Sequence, residues 1–312
     1  MSGSFVRAHG IMFHHLHGGI HPRVQGSISP DELAAQLEFL GPERILAPEE
    51  WAERAGRGQL EPRHLCLTFD DTLRCQYDLA RPVLESYGLR GFWFVYTSVL
   101  TGELERLELY RWFRTVHYDS VEAFYAAFEE ALSDSGEPLR AKLADFEPRK
   151  YLAEFSFYTD ADRRFRFIRD EWLSPARYVE VMDAMLESAQ VDLDAVARTL
   201  WMDAEQLRAL RDAGHVVGLH SHTHPTRLAR LSIERQRDEY ERNAEVLGSI
   251  LGQEPWSMSH PCNSYGRETL TLLEALGIRM GFRANLEPHE GALELPREDH
   301  ARILARMRED RA

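Results

Sequence analysis

The sequence predicts an α/β fold with a mostly parallel sheet or barrel, because short apolar runs alternate with helical signals. Apolar runs at 11–14, 64–69 and 91–96 have the composition of buried strands, and helical or turn residues follow each of them. The same alternation returns after residue 200. In folds of this kind the active site lies at the carboxyl ends of the strands.

Capping residues predict where the helices begin and end. Ser29, followed by Pro30 and Glu32, has the pattern of a capping box with a proline in the first turn, and Gly41 is placed to end that helix. Asp203 and Gln206 are predicted to cap a later helix that stops at Gly214. The elements predicted after it are a strand at 216–219, a helix at about 232–251, a strand at 256–259 and a helix at 267–276.

The region from about 101 to 200 interrupts this alternation. Its apolar residues have helical spacing and it contains no good strand, so we expect a helical insertion at 101–200 within a single domain spanning 1–312. Its many aromatic rings either pack the insertion onto the barrel or form a lid over the substrate. These rings are Tyr110, Trp112, Phe155, Phe157, Phe165, Phe167 and Trp172.

Charge and cysteine content limit the possible partners. Lys and Arg total 37 against 51 for Asp and Glu, and the resulting net charge of −14 argues against binding nucleic acid or an anionic membrane surface. Three cysteines, an odd number, favour a reducing compartment. With no signal-like start and no long apolar stretch, the sequence predicts a cytoplasmic protein without membrane insertion, and it leaves the oligomeric state open.

Two adjacent carboxylates, Asp70 and Asp71, follow the predicted strand at 64–69 directly. Neighbouring side chains on a strand point to opposite faces, so both acids face one site only if the backbone turns there. The alternative is that Asp71 caps a helix starting near Leu73 while Asp70 is merely solvated.

Three histidines, His220, His222 and His224, follow the predicted strand at 216–219. His220 and His224 share a face in a helical turn, and all three share one in an extended segment. Pro225 disfavours helix at His224 and does not decide between these geometries. Two imidazoles with a distant carboxylate match a ligand set that leaves open positions on a divalent metal. A purely structural histidine loop is the alternative.

Together these motifs resemble those of the polysaccharide deacetylases, carbohydrate esterase family four. Thr68-Phe69-Asp70-Asp71-Thr72 is similar to the family's Thr-Phe-Asp-Asp-Gly, with Thr72 in place of glycine. The segment from His220 to Pro225 matches its His-(Ser/Thr)-x-x-His-Pro at every fixed position. The resemblance covers about 5–100 and 200–300, and it implies an incomplete, distorted (β/α) barrel.

The resemblance also implies roles for these residues. Asp70 would be the general base, while Asp71, His220 and His224 would hold a divalent metal. We expect zinc, although cobalt, nickel and iron accept the same ligands. Ser221 would hold the loop rather than react.

The third family motif, Arg-x-Pro-Tyr, is largely lost. Its counterpart at 258–266 keeps Pro261 but has Ser259 where the arginine would hold the catalytic aspartate. Arg297, in Leu295-Pro296-Arg297, is predicted to substitute from a neighbouring strand end.

Other site residues follow from weaker similarities. The segment 11–14 resembles the start of the barrel in several family members, so His14 or its neighbour His15 is expected to line the site. The family's general acid is a histidine near the end of the domain, and His300, His289 and His260 are the candidates, with His300 preferred. His14, His260 and Pro261 are predicted to contact substrate.

The predicted reaction is the metal-dependent removal of an acyl group, expected to be acetyl, from the nitrogen of an amino sugar. The expected substrate is a glycan or an intermediate of surface polysaccharide synthesis. The alternatives are a hydrolase of a small non-sugar amide or ureide on the same fold, and a carbohydrate-binding relative that does not catalyse.

Overall fold

The computed structural model describes residues 7–136, 138–152, 159–288 and 291–310. Three residues singled out from the sequence, Phe155, Phe157 and His289, lie outside these ranges. The chain forms two compact units, Met1–Glu105 with Ala197–Ala312 and Arg106–Val196. That residues 1–312 act as a single catalytic domain stays a prediction.

The first unit contains a parallel sheet whose strands follow the order β6-β5-β4-β3-β2-β1-β7. Beyond the edge strands, a parallel bridge joins Phe282 to Leu295, so the sheet curls into a nearly closed barrel. The predicted (β/α) barrel is therefore confirmed. Its strands in the described residues are β1 (His9–Phe13), β2 (Leu65–Phe69), β3 (Phe92–Val95), β4 (Val216–Leu219), β5 (Ser257–Ser259), β6 (Met280–Phe282) and β7 (Arg297–Asp299).

Helices connect most of the strands, as a parallel sheet requires. The α-helices of the described residues are α1 (Pro30–Leu40), α2 (Pro48–Gly56), α3 (Arg81–Ser86), α4 (Arg106–Trp112), α5 (Val121–Asp134), α6 (Leu139–Lys142), α7 (Asp160–Phe167), α8 (Pro175–Ser188), α9 (Leu193–Leu200), α10 (Ala204–Asp212), α11 (Ile233–Leu251), α12 (Arg267–Ala275) and α13 (His300–Glu309).

The local sequence signals place several boundaries correctly. At α1 the Ser29 Oγ accepts the Glu32 N–H at 3.1 Å, and the Glu32 carboxylate accepts the Ser29 N–H at 2.8 Å. This is the predicted capping box, and α1 ends immediately before Gly41. Strand β4 has the predicted bounds. The sequence analysis did not identify α2, β6 or β7.

Aromatic rings fill the barrel interior and the surface under its helices. Phe69 stacks on Trp93 at 4.4 Å between ring centroids and on Phe13 at 5.3 Å. On the other side of the sheet, Phe282 contacts Phe92 and Phe94. All six side chains are fully buried, so neighbouring strands are held together by side-chain packing as well as by backbone hydrogen bonds.

The described residues of the second unit contain helices and no strand, as we predicted from the interruption of the strand–helix alternation at about 101–200. Its interior is an aromatic cluster in which Phe165 contacts Phe124, Tyr125 and Phe128 at centroid distances of 4.9–5.4 Å. Phe165 therefore packs inside its own unit. Among the described residues, no helix combines the length and the apolar character needed to cross a membrane.

The close approach of β4 to β5 gives a stability prediction. A Cβ at Gly218 would lie 2.6 Å from the Ser257 carbonyl oxygen, and backbone cannot move aside as a flexible side chain can. We expect Gly218→Ala to lower the free energy of unfolding by about 1–3 kcal/mol in urea titrations. Gly56→Ala is the matched control, because a Cβ on this helical glycine meets nothing within 4 Å. It should be neutral or stabilise by up to ~1 kcal/mol. Equal effects of the two substitutions would contradict the close approach.

A second prediction concerns His215, which precedes β4 and is 4% exposed. Its Nδ1 accepts the Gly91 N–H at 3.1 Å. Burial, reinforced by the charges of Arg90 and Arg81, lowers the pKa of His215 from 6.5 to about 4. Between these two pH values the unfolded chain binds a proton that the folded chain does not, so stability falls as the pH decreases through this window.

The contribution of this histidine is at most ~1.4 kcal/mol for each pH unit. In His215→Asn the side-chain oxygen can still accept the Gly91 N–H, but the side chain no longer titrates. We expect the variant to lose less stability than the wild type between pH 7 and pH 5 in urea titrations. Parallel losses in the two proteins would show that His215 does not contribute.

Candidate active site

Polar side chains from four strands converge inside the barrel. Asp70 and Asp71 follow β2, His220 follows β4, Ser259 ends β5 and Arg297 begins β7. All five are at most 8% exposed. Isolated charges are costly to bury, so this arrangement requires that each charged group have a partner.

A backbone turn after β2 presents the two adjacent carboxylates to one site. Asp71 and Thr72 both have positive φ, 79° and 60°. The left-handed conformation costs a residue with a Cβ about 1–2 kcal/mol, which explains why a glycine would suit position 72. Thr72 is fully buried here, and its Oγ1 donates to the Tyr96 carbonyl at 3.0 Å. The alternative of a merely solvated Asp70 is wrong, since Asp70 is 2% exposed.

The carboxylate of Asp71 faces two imidazoles. Its Oδ1 lies 3.4 Å from Nε2 of His220 and 3.5 Å from Nε2 of His224. One donor atom from each of the three residues lies within 4.8 Å of the others, and this is the only such group of three in the described ranges. The structure thus brings together the three residues that were predicted to bind a metal.

The hydrogen bonds of His220 determine which ring nitrogen is free. Its Nδ1 lies 2.9 Å from the carbonyl oxygen and 2.7 Å from the hydroxyl of Ser259. A carbonyl only accepts, so Nδ1 carries a hydrogen, and in the neutral ring Nε2 has the lone pair that faces Asp71. This is the tautomer that a metal ligand needs, and the donor set of two imidazoles and one carboxylate fits a divalent cation.

Asp70 forms a two-pronged ion pair with Arg297. The two guanidinium nitrogens donate to the two carboxylate oxygens at 2.7 and 2.8 Å, and the Ser259 hydroxyl donates to Oδ1 at 3.2 Å. The arginine is itself fixed by the Arg283 carbonyl at 2.9 Å and the Thr68 hydroxyl at 3.2 Å. The structure therefore places Arg297 on Asp70 from a different strand, as the sequence analysis predicted.

These partners keep both carboxylates ionised. Burial alone would raise the pKa of Asp70, but the charge of Arg297 and its hydrogen bonds outweigh that effect and lower the pKa. Burial also opposes ionisation of Asp71, yet His220, His224 and His14 hold the pKa of this carboxyl well below its usual value. Burial lowers the pKa of His224 to about 4, so this ring is neutral at pH 7.

Two further histidines predicted for the site occupy different environments. The side chain of His14 is 33% exposed, with Nε2 3.9 Å from Oδ2 of Asp71. His300, at the start of α13, is 5% exposed and stacks on Phe13 at 5.6 Å. Its Nδ1 has no hydrogen-bond partner within the described part of the chain. The accessible imidazole beside Asp71 is therefore that of His14.

His260 and Pro261, predicted to contact substrate, are both buried. The His260 Nε2 bonds to the Leu293 carbonyl at 2.8 Å, and the ring stacks on Tyr265 at 4.0 Å. Burial lowers the pKa of His260 to about 3. A neutral ring that is 1% exposed and already bonded to backbone is suited to a supporting role in the site rather than to contact with substrate.

Several residues of the site were not singled out from the sequence. Glu239 and Asn243, on α11, bond directly to the histidine loop, and Thr97 bonds to Nδ1 of His222 at 2.8 Å. His222 is 2% exposed and contributes to this support rather than to the group of Asp71, His220 and His224. In the sequence, Glu239 and Asn243 are only a pair of polar residues four apart on a helix. Such a pair usually indicates a solvent-facing surface.

Comparisons with known proteins agree with this geometry. Residues 176–281 match the family model for polysaccharide deacetylase. No curated protein matches the chain by sequence.

Several solved deacetylases share the fold. The Streptococcus pyogenes deacetylase PplD, in complex with acetate, is 16% identical with a TM-score of 0.55, over 95% of this chain and 93% of that one. IcaB from Ammonifex degensii is also 16% identical with a TM-score of 0.55, over 94% and 91%. The BpsB deacetylase domain from Bordetella bronchiseptica is 13% identical with a TM-score of 0.52, over 94% and 96%.

The three structures support the fold over nearly the whole chain, whereas the family model covers the part that carries the histidine motif. The resemblance inferred from the two motifs is confirmed, because the chain is similar to the polysaccharide deacetylase model by sequence and to solved deacetylases by fold.

Proposed function

We propose that this protein is a metal-dependent N-deacetylase acting on an N-acetylated amino sugar. The observation that carries the proposal is the metal-binding group of Asp71, His220 and His224 beside an ionised carboxylate, Asp70, that is not part of it. This separation provides one set of residues for binding an ion and one for moving a proton. The acetate complex of PplD is consistent with this reaction class.

Asp71, His220 and His224 would hold the ion, for which we propose zinc, with cobalt, nickel or iron as the other candidates. A divalent cation at this position acts as a Lewis acid that makes water more acidic and polarises an amide carbonyl. The His220 ring is already oriented by Ser259, and His224 is neutral at pH 7, so His224 need not lose a proton to bind.

Asp70 is assigned the role of general base. Its pKa is lowered, so it is ionised at neutral pH and ready to accept a proton from the attacking water. The two hydrogen bonds from Arg297 fix the orientation of the carboxylate, and the Ser259 hydroxyl ties it to the His220 ring at 2.7 Å. Base and metal ligands are thereby held in one rigid arrangement.

We assign proton donation to the departing amine to His14 rather than to the initially preferred His300. His14 is the partly exposed imidazole next to Asp71, whereas the ring of His300 packs against Phe13. A group that protonates substrate must come within hydrogen-bonding distance of it, and a ring that is 5% exposed is poorly placed to do so.

The specific substrate and the cellular location remain predictions. An intermediate of surface polysaccharide synthesis as substrate, and a cytoplasmic location, have no further support from the fold. A non-sugar amide substrate and a carbohydrate-binding role without catalysis are separable outcomes of the experiment below.

The proposal predicts that Asp70→Asn keeps the metal and loses turnover. The expected loss in kcat is about 100- to 10,000-fold, because the proton acceptor is removed while the three ligands remain. Metal content is measured by elemental analysis, and acetate release is followed on a panel of N-acetylated sugars with cyclic amides alongside.

The matched control is the double variant His220→Ala, His224→Ala, which should lose both the metal and the activity. Wild-type protein that takes up no metal after supplementation would refute the proposal. Metal uptake with release only from cyclic amides would identify the amide hydrolase, and sugar binding without acetate release would identify a binding protein.

The assignment of the proton donor predicts different effects for two otherwise similar substitutions. His14→Gln should lower kcat about 100-fold or more, because protonation of the leaving amine is lost. His300→Gln should retain most of the activity. Metal content of both variants must equal that of the wild type, so that loss of the ion is excluded as the cause. A greater loss in His300→Gln would restore the assignment of His300.

A further inference from the structure

The loop that carries the two ligand histidines has a conformation that its own sequence does not favour. Ser221 and His224 both have positive φ, 61° and 54°. Each such residue costs about 1–2 kcal/mol, and strained backbone persists only where surrounding groups determine it. Within the loop, the Ser221 hydroxyl accepts the His224 N–H at 3.1 Å. One internal hydrogen bond is a small restraint for two strained residues, so groups outside the loop must hold it in this conformation.

Glu239 binds the middle of the loop. Its Oε2 accepts the backbone N–H groups of His222 at 2.9 Å and Thr223 at 2.7 Å. Its Oε1 accepts the Thr223 hydroxyl at 2.6 Å. The residue is 9% exposed, so these three bonds form largely out of water, where charge-assisted hydrogen bonds are strong.

Asn243 binds the start of the loop. Its Oδ1 accepts the His220 N–H at 3.0 Å, while its Nδ2 donates to the Val95 carbonyl at 2.9 Å and the Thr97 hydroxyl at 3.1 Å. The residue is fully buried. One amide side chain therefore connects the first ligand histidine to the end of the neighbouring strand β3.

Both side chains come from one rigid element. Residues four apart lie on the same face of a helix, so Glu239 and Asn243 face the loop together. Helix α11 has 19 residues, begins at the Ser232 cap and ends at Gly252 in the left-handed conformation. Its fully buried Tyr240 and Leu247 anchor it in the hydrophobic core.

We propose that Glu239 and Asn243 are positioning residues that set the metal affinity of the site by fixing the backbone of residues 220–224. The proposal rests on the proposed function, since it assigns these residues to the metal-binding group. His220 and His224 must both direct Nε2 toward the same oxygen of Asp71, and α11 supplies the fixed reference against which the loop is held. Residues that orient metal ligands typically alter metal affinity 10- to 100-fold when they are replaced.

The test measures zinc affinity of metal-stripped, full-length protein by competition with a chromophoric chelator. Glu239→Gln keeps the shape of the side chain but replaces one accepting oxygen with an NH₂ group that faces N–H or O–H donors. We expect zinc binding to weaken 10- to 100-fold. Asn243→Ala, which removes all three of its bonds, should show an effect at least as large.

Milder and control variants keep the result interpretable. Thr223→Val removes only the hydroxyl bond to Glu239 and should give a smaller, measurable loss of affinity. Glu241→Gln removes the same charge from the exposed side of the same helix and should leave affinity unchanged. Visible absorption of the cobalt(II)-substituted proteins gives a second readout, because the band positions should change only where ligand geometry changes.

The outcomes distinguish this proposal from the proposed function. Wild-type protein without stoichiometric metal would refute the proposed function itself. The positioning role would be overturned if the wild type binds zinc and Glu239→Gln, Asn243→Ala and Thr223→Val all bind it within twofold of the wild-type affinity. This holds even if the melting temperatures of the variants fall. If Glu239→Gln and Asn243→Ala do not fold, Thr223→Val against Glu241→Gln decides the question.

Discussion

The buried ion pair between Asp70 and Arg297 is the constraint on which the centre of the barrel depends. Removing one partner of such a pair leaves an uncompensated charge and typically costs about 3–5 kcal/mol. Asp70 directly follows β2 and Arg297 begins β7, with β1 between these two strands in the sheet. The arginine passes Gly10 of β1, where a Cβ would lie 3.1 Å from its Cγ. A small residue on the intervening strand therefore leaves room for the arginine side chain.

This pair also explains how two adjacent carboxylates remain ionised at one site. Neighbouring like charges raise each other's pKa unless each has its own compensation. Asp70 is compensated by Arg297, and Asp71 by the histidines around it. The division leaves Asp71 facing the imidazole nitrogens of His220 and His224 while Asp70 faces Arg297, so the two adjacent carboxylates have separate electrostatic partners.

Local signals in the sequence were sufficient for much of the fold. The Ser29 capping box and the apolar run of β4 depend on residues close in sequence, and both were predicted correctly. Strands β6 and β7 have three residues each, too few for a periodic pattern. The convergence of Asp71, His220 and His224 was predicted through their motifs, and the contact of Arg297 with Asp70 through the absence of an arginine at position 259. The exposure of His14 and the burial of His300 depend on tertiary packing, which no local pattern encodes. The support from α11 was missed because a polar pair on a helix has the same pattern as a solvated face.

Asp70 and Arg297 are 227 positions apart in the sequence, and this separation bears on the order in which parts of the protein fold. During synthesis the strand bearing Asp70 leaves the ribosome long before the strand that bears its arginine. Until Arg297 has been made, the Asp70 carboxylate lacks this partner, and an unpaired charge is costly to bury. Closure around Asp70 is therefore expected only after the strand that begins with Arg297 has been made, so that the carboxylate and its orienting arginine enter the interior together.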